Sequence, residues 1–293
     1  MYELQIDRLT PEFVRDFKAY TSEKRYGISF LATKLPQMRT IPIEKSITPQ
    51  MPVATFDEIS RLLETASSPF VILPCICRKK KSLLGKPCQQ TGRTETCMAM
   101  SGVAQTLIEM EVGREISRDE AMDIIRENQE DGLVLQPSNT RDIEFLCSCC
   151  GCCCSMLSLQ KGLPRPLDFW TANYQAALDP DSCIGCGKCI RHCQPGALTL
   201  DDGSAGPSEK DRPKPLLDLN RCIGCGNCIT ICPTGSLALH PRAATVSPPQ
   251  NRDALNAVLL KEKRSPLSGI KVIGKLAKGI ALTGDLRLLK KNS

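Results

Sequence analysis

Eight of the 18 cysteines fall into two copies of one pattern. Residues 178–200 read LDPDSCIGCGKCIRHCQPGALTL, and residues 217–239 read LDLNRCIGCGNCITICPTGSLAL. The copies align at an offset of 39, with Cys183/Cys222, Cys186/Cys225, Cys189/Cys228 and Cys193/Cys232 in register. Gly196/Gly235 and Leu198/Leu237 correspond as well, so the unit is a duplication. Iron is thiophilic, and a four-iron cubane needs thiolates converging from different directions. C-x-x-C-x-x-C wraps one loop around such a cluster and supplies three of them. Zinc ligands come as separated C-x-x-C pairs, whereas each motif here places four cysteines within eleven residues. Iron–sulfur chemistry is therefore the reading.

Residues 174–242 resemble a bacterial-type dicluster ferredoxin, whose C-x₂-C-x₂-C-x₃-C-P run lends its fourth cysteine to the other cluster. The resemblance implies one [4Fe-4S] cluster on Cys183, Cys186, Cys189 and Cys232. It implies a second on Cys222, Cys225, Cys228 and Cys193. Gly185, Gly187, Gly224 and Gly226 let the loops turn and leave N–H groups to face the sulfurs. One departure stands out: Cys232 is followed by Pro233, but Cys193 is followed by Gln194, with the proline displaced to Pro195. The ligands are untouched, so local geometry or potential is expected to change, not occupancy.

Ten cysteines lie outside this unit. Cys75, Cys77, Cys88 and Cys97 occur in LPCICRKKKSLLGKPCQQTGRTETC, and Cys147, Cys149, Cys150, Cys152, Cys153 and Cys154 crowd into CSCCGCCCSML. Over residues 35–242 this order of C-x-C-R, CCGCCC and dicluster motif resembles iron–sulfur proteins to which no activity attaches. The CCGCCC run is also distantly similar to the CCG motif of heterodisulfide-reductase-type subunits, without its flanking spacing. The simplest expectation is a third cluster on Cys75, Cys77, Cys88 and Cys97. Cys147, Cys149 and Cys150 are further candidate ligands, for a separate site or one shared between the segments. Three adjacent cysteines cannot all reach one small site, so Cys152–Cys154 must divide between centres, pack as small hydrophobes or act as redox thiols. Structural zinc and metal-free thiols remain open alternatives here.

The elements that must position these thiols can be read in outline. Thr10-Pro11 opens a helix with Phe13, Val14 and Phe17 at helical spacing. Thr55 and Glu58 form a capping box ahead of Ile59, Leu62, Leu63 and Ala66. Phe70–Leu73 reads as a buried strand delivering Cys75 and Cys77. A helix is expected from about Ala99 to Val112, capped by Gly113, and another from the Ser117…Glu120 box to about Glu130, with Gly132 behind it. Residues 163–172 read as a connector and 203–215 as a surface loop. The fold class is α+β: a mainly α-helical cysteine-rich N-terminal domain (1–165), a ferredoxin-like two-fold βαβ dicluster domain (166–243) and a basic tail (244–293).

Composition narrows the function. The net charge of +6 is a property of the tail, since residues 251–293 alone carry a surplus of seven positive charges. Aromatics are 4% of the chain, too few for stacking platforms, and no nucleic-acid partner is expected. With two histidines, histidine-based acid–base chemistry has little material. His192, beside Cys193, reads as a surface or supporting residue and His240 as a strand end. Neither a G-x-G-x-x-G after a strand nor a P-loop occurs. Arg78, Lys79, Lys80 and Lys81 read equally as counter-charge for a cluster or as a solvated face. The lysines and aliphatics of 265–291 read as a mobile basic tail, with a membrane surface or acidic partner as the alternative. The absence of an apolar leader at the N-terminus and the density of thiols lead to a cytoplasmic expectation. The expected function is single-electron transfer through two [4Fe-4S] clusters, extended by an N-terminal cluster, between redox partner proteins. A reductase-type enzyme with an unusual CCGCCC-bound cluster or thiol site is the alternative, and a redox or iron sensor the third reading.

Overall fold

A computed structural model of the chain describes residues 6, 8–33, 35–200, 213–265 and 267–285. The surface loop expected at 203–215 lies mostly outside them. Helices α1 (Pro11–Thr21) and α2 (Lys24–Leu31) come first. Thr10 caps α1 by accepting from the Phe13 N–H at 3.2 Å, with Pro11 preset for the first turn. Then follow α3 (Ile59–Thr65), β1 (Phe70–Pro74), α4 (Ile76–Leu83), β2 (Glu95–Met100), α5 (Ser101–Glu109), β3 (Arg114–Ile116), α6 (Arg118–Glu130), β4 (Val134–Pro137), β5 (Phe145–Cys149) and α7 (Ser155–Gly162). Ser117 caps α6 through the Glu120 N–H, at 3.1 Å.

Helices hold more of this region than strands, but its organising layer is a five-stranded antiparallel sheet in the order β3-β1-β2-β5-β4. Only β1 was legible in sequence. One sheet face carries Phe70, Ile72, Met98, Met100 and Leu146 against α3 and α6. The opposite face carries Val71, Leu73, Ala99 and Phe145, continuing into Cys75, Cys97 and Cys147. Each aliphatic side chain buried this way contributes roughly 1.5–3 kcal/mol.

Three expectations need correction. Glu58 flanks α3 without a side-chain cap, and Thr55 sits in a short 3₁₀ turn, so the capping box does not form. The helix expected from Ala99 starts at Ser101, because Ala99 and Met100 complete β2 opposite Val71 and Phe70. Gly113 caps no helix: its φ is +84°, and a Cβ there would meet the Ile72 carbonyl at 2.6 Å.

The second half holds β6 (Tyr174–Leu178), α8 (Lys188–His192), β7 (Leu198–Leu200), β8 (Pro215–Leu217), α9 (Asn227–Thr230) and β9 (Leu237–Pro241). The two sequence repeats exchange strands, with β6 pairing β9 and β7 pairing β8, both antiparallel. The duplication is conformational too: the paired Gly185/Gly224, Gly187/Gly226 and Gly196/Gly235 all have left-handed backbones.

The basic C-terminal segment forms α10 (Arg252–Lys263) and α11 (Ser268–Thr283). Val272 of α11 is buried with Leu31, Leu163, Phe169 and Trp170, so tertiary packing overrides the glycines that weaken this helix in isolation. The described part of the expected mobile tail is thus folded onto α2 and the connector. No helix among the described residues is long and apolar enough to cross a membrane.

The two halves are interleaved. Residues 38–43 run beside β4, with the Arg39 N–H on Pro137 O and the Ile41 N–H on Leu135 O. The same segment reaches the second cysteine loop, where the Ile43 N–H donates to Cys225 O at 3.1 Å. Arg39 and Asp57, both almost fully buried, pair at 3.2 Å, and Asn173 donates to the other Asp57 oxygen at 2.8 Å. Burial raises the Asp57 pKa, opposed by the Asn173 bond and by Arg39.

Candidate metal centres

The two cysteine loops of the second half share a backbone and differ in surroundings. Cys183 and Cys186 are partly exposed and Ile184 between them is 51% exposed. Cys222, Cys225 and Cys228 are all under 10% exposed. The second loop presses so closely on the first half that a Cβ at Gly226 would lie 2.1 Å from Ser46 Oγ. Cys193 leaves its own motif and lines one cavity with Cys222, Cys225 and Cys228. Backbone N–H groups already face sulfur there: Ala197 N–H donates to Cys193 Sγ at 3.1 Å and Ala176 N–H to Cys222 Sγ at 3.3 Å. Burial pushes the Cys225 thiol up to about 12 and Cys189 to about 11, so water stabilises their ionised forms poorly. Cys232 lies beside Ser236 and Thr234, whose hydroxyls overcome its burial and lower it to about 7.

In the first half the thiols gather into two sets that sequence spacing did not indicate. The first is a closed ring of six. Its members are neighbours that shift one another's ionisation: Cys75 with Cys77 and Cys97, Cys97 with Cys147, Cys147 with Cys149, Cys149 with Cys154, and Cys154 with Cys77. Three neighbouring strands supply four members: Cys75 follows β1, Cys97 is on β2, and Cys147 and Cys149 alternate onto one face of β5. Cys154 is the N-cap of α7 and Cys75 that of α4, so two helix N-termini direct their positive ends here. Cys77, in the first turn of α4, is held well below the ordinary thiol range by hydrogen bonds from Cys154 and Cys75. The ring abuts the second cysteine loop, because Cys149 and Cys154 share an apolar cluster with Ile223 and Cys225.

The second set is Cys88, Cys150, Cys152 and Cys153, whose sulfurs all lie within 4.8 Å of one another. Among the described residues no other three potential ligand atoms are so compact. Cys88 is delivered by the loop after α4, and the other three by the turn between β5 and α7. Burial opposes ionisation of Cys88, but the N–H groups of Thr91 and Gln90 and the Arg78 guanidinium outweigh it and hold the thiol at about 6. Arg78, 5% exposed, donates to Ser148 O at 3.1 Å and to the Thr96 hydroxyl, and its charge faces Cys75 and Cys97 of the ring as well as Cys150. Arg78 is therefore a buried cation beside both thiol sets and no solvated residue; Lys79, Lys80 and Lys81 are partly exposed.

The expected quartet of Cys75, Cys77, Cys88 and Cys97 is thus divided, Cys88 going to one set and the other three to the ring. Cys147 and Cys149 join the ring and Cys150 the compact set. Cys152, Cys153 and Cys154 divide as the divergence of neighbouring side chains requires. Sequence reasoning also missed the role of Gln194. Only 5% exposed, it accepts from the Gly151 N–H at 2.7 Å and donates to Gln90 Oε1 at 2.9 Å and Gly132 O at 3.2 Å. The residue standing where a proline was expected ties the Cys193 corner to the CCGCCC turn. The displaced proline was the available signal. His192 is partly buried beside Gly132, and His240 pairs with Gln175 near the end of β9.

Comparison with known proteins agrees with the second half of this geometry. Residues 182–236 match the family described as a 4Fe-4S dicluster domain. No curated protein matches the chain. The dicluster match and the cysteine-rich first half make this an iron–sulfur protein with a ferredoxin-type 4Fe-4S domain in a mixed α+β fold.

Proposed function

We propose that the chain is an electron-transfer protein in which a bacterial-type, ferredoxin-like domain connects an outer docking surface to a third iron–sulfur cluster in the first half. Cys183, Cys186, Cys189 and Cys232 hold the outer [4Fe-4S] cluster, and Cys222, Cys225, Cys228 and Cys193 the inner one. Such clusters supply one-electron chemistry at potentials set by charge, N–H···S bonds and exposure. The partly exposed 183–186 loop, with Ile184 at its tip, is the surface for a donor or acceptor protein. The inner loop is sealed by residues 43–46 and 174, which exclude water from its thiols. The observation that carries the reading is the packing of Cys225 and Ile223 against Cys149 and Cys154, which continues the path from the inner site to the six-thiol ring. Arg78 and the α4 and α7 N-termini there offset thiolate charge.

Anaerobic iron and acid-labile sulfide per chain test this directly. About twelve irons, falling to about eight in Cys147→Ser/Cys149→Ser, are expected for three four-iron clusters. About eight in both proteins would remove the third cluster. A second reading rests on the ring offering six thiols where a cubane takes four. The surplus suits a reductase site, and substrate-dependent reoxidation of the reduced protein that is lost on changing the ring thiols would favour it.

A further inference from the structure

We infer that Cys88, Cys150, Cys152 and Cys153 form a mononuclear tetrahedral metal site, occupied by zinc and separate from every iron–sulfur cluster of the chain. The sulfur separations fix the nuclearity. Cys88 Sγ lies 3.6 Å from Cys150 Sγ and 3.7 Å from Cys152 Sγ; Cys152 Sγ lies 3.5 Å from Cys150 Sγ and 3.7 Å from Cys153 Sγ. Four sulfurs at about 2.3 Å from a central ion form a tetrahedron with edges about 1.63 times longer, or about 3.8 Å. These four separations match that edge within a few tenths of an ångström, and the other two are within 4.8 Å. They are far too long for a disulfide, at about 2.05 Å. They are too short for a cubane, in which iron and sulfide stand between the thiolates; the eight dicluster cysteines contain no such compact group.

The surroundings suit a closed structural site. All four positions are filled by protein sulfur, which leaves no open place for substrate. Four thiolates on a divalent ion carry a net charge of −2, and the buried Arg78 guanidinium beside Cys88 and Cys150 offsets part of it. Leu133, fully buried, packs on Cys150 and Cys153. Zinc is favoured over ferrous iron at a given thiolate site by the stability order of the divalent metals. The ion would fasten the Cys88 loop, which has no helix or strand of its own, to the β5–α7 turn. Gln90 and Gly151 on either side of that joint are the residues Gln194 bonds, so the zinc braces the corner that presents Cys193 to the inner cluster site.

The inference is independent of the cluster assignments, and its test separates the two. Metals are counted by mass spectrometry, with sulfide, on the full chain purified anaerobically, as wild type and as Cys88→Ser and Cys152→Ser. One zinc per chain is expected in the wild type, lost in either variant while iron and sulfide stay unchanged. Iron and sulfide falling together with the substitution would overturn the inference, as would a wild type without zinc. Because a variant that loses its brace could misfold, zinc X-ray absorption on the wild type gives a second readout. A single shell of four sulfurs at about 2.3 Å is expected; a shell containing nitrogen or oxygen refutes the site.

Discussion

Replacing Gln194 probes the joint between the two halves without touching a thiol. Gln194→Ala removes three hydrogen bonds, of 2.7, 2.9 and 3.2 Å, from a side chain that is 5% exposed. Each such bond contributes about 1 kcal/mol net, so the expected loss is about 3 kcal/mol. Gly132 O keeps a second donor, Asn227 Nδ2, so the penalty for orphaned groups falls mainly on the Gly151 N–H. For a chain of this size about 3 kcal/mol lowers the unfolding midpoint by roughly 6–12 °C. Gln194→Pro should lose as much, even though it restores after Cys193 the proline that follows Cys232. Anaerobic thermal unfolding followed by circular dichroism, with iron content measured in parallel, reads both variants. Iron should remain at the wild-type level, because Cys193 keeps its Ala197 N–H bond. A midpoint within about 2 °C of wild type for both variants would refute the claim that this residue joins the halves.

Asp57→Ala leaves the Arg39 guanidinium buried without its carboxylate and takes a partner from Asn173, so a loss of about 3–5 kcal/mol is expected in the denaturant midpoint of anaerobic unfolding. Gly151→Ala places a Cβ 2.4 Å from the Gln194 carbonyl, which is backbone and cannot swing away; about 1–3 kcal/mol of destabilisation is expected by the same measurement. Gly162→Ala, whose Cβ meets nothing within 4 Å, serves as the control and should be neutral or slightly stabilising.

The dicluster motif was legible because its spacing is local. Three cysteines of each loop lie within seven residues, and the loop geometry follows from glycines that repeat with the cysteines. The crossing of the fourth cysteine to the other loop came only from resemblance; Cys193 lines a cavity with Cys222, Cys225 and Cys228. Grouping in the first half was not legible, because sheet order sets it. Cys97 stands opposite Leu73 across β1 and β2, and Cys147 and Cys149 join them only because β5 is the next strand beyond β2. No spacing along the chain encodes that neighbourhood. A weaker signal existed in Cys147-Ser148-Cys149, whose period of two is that of a strand presenting both thiols on one face. The helical tail was obscured for a different reason: propensity argued against α11, and the apolar surface that stabilises it comes from Leu31 and Trp170, far away in sequence.

That last contact bears on the order in which the molecule is built. Thr33 donates to Glu262 at 2.6 Å across 229 residues, and Leu31 meets Val272 over the connector that carries Phe169 and Trp170. Closing so long a loop in an unfolded chain carries an entropic cost that shrinks once the intervening segments have folded. During synthesis α11 follows every cysteine out of the ribosome, so this junction cannot close until all 18 thiols have been made. A chain cut before Val272 would therefore keep every cysteine and lose the apolar cover that α11 lays over Leu31, Phe169 and Trp170.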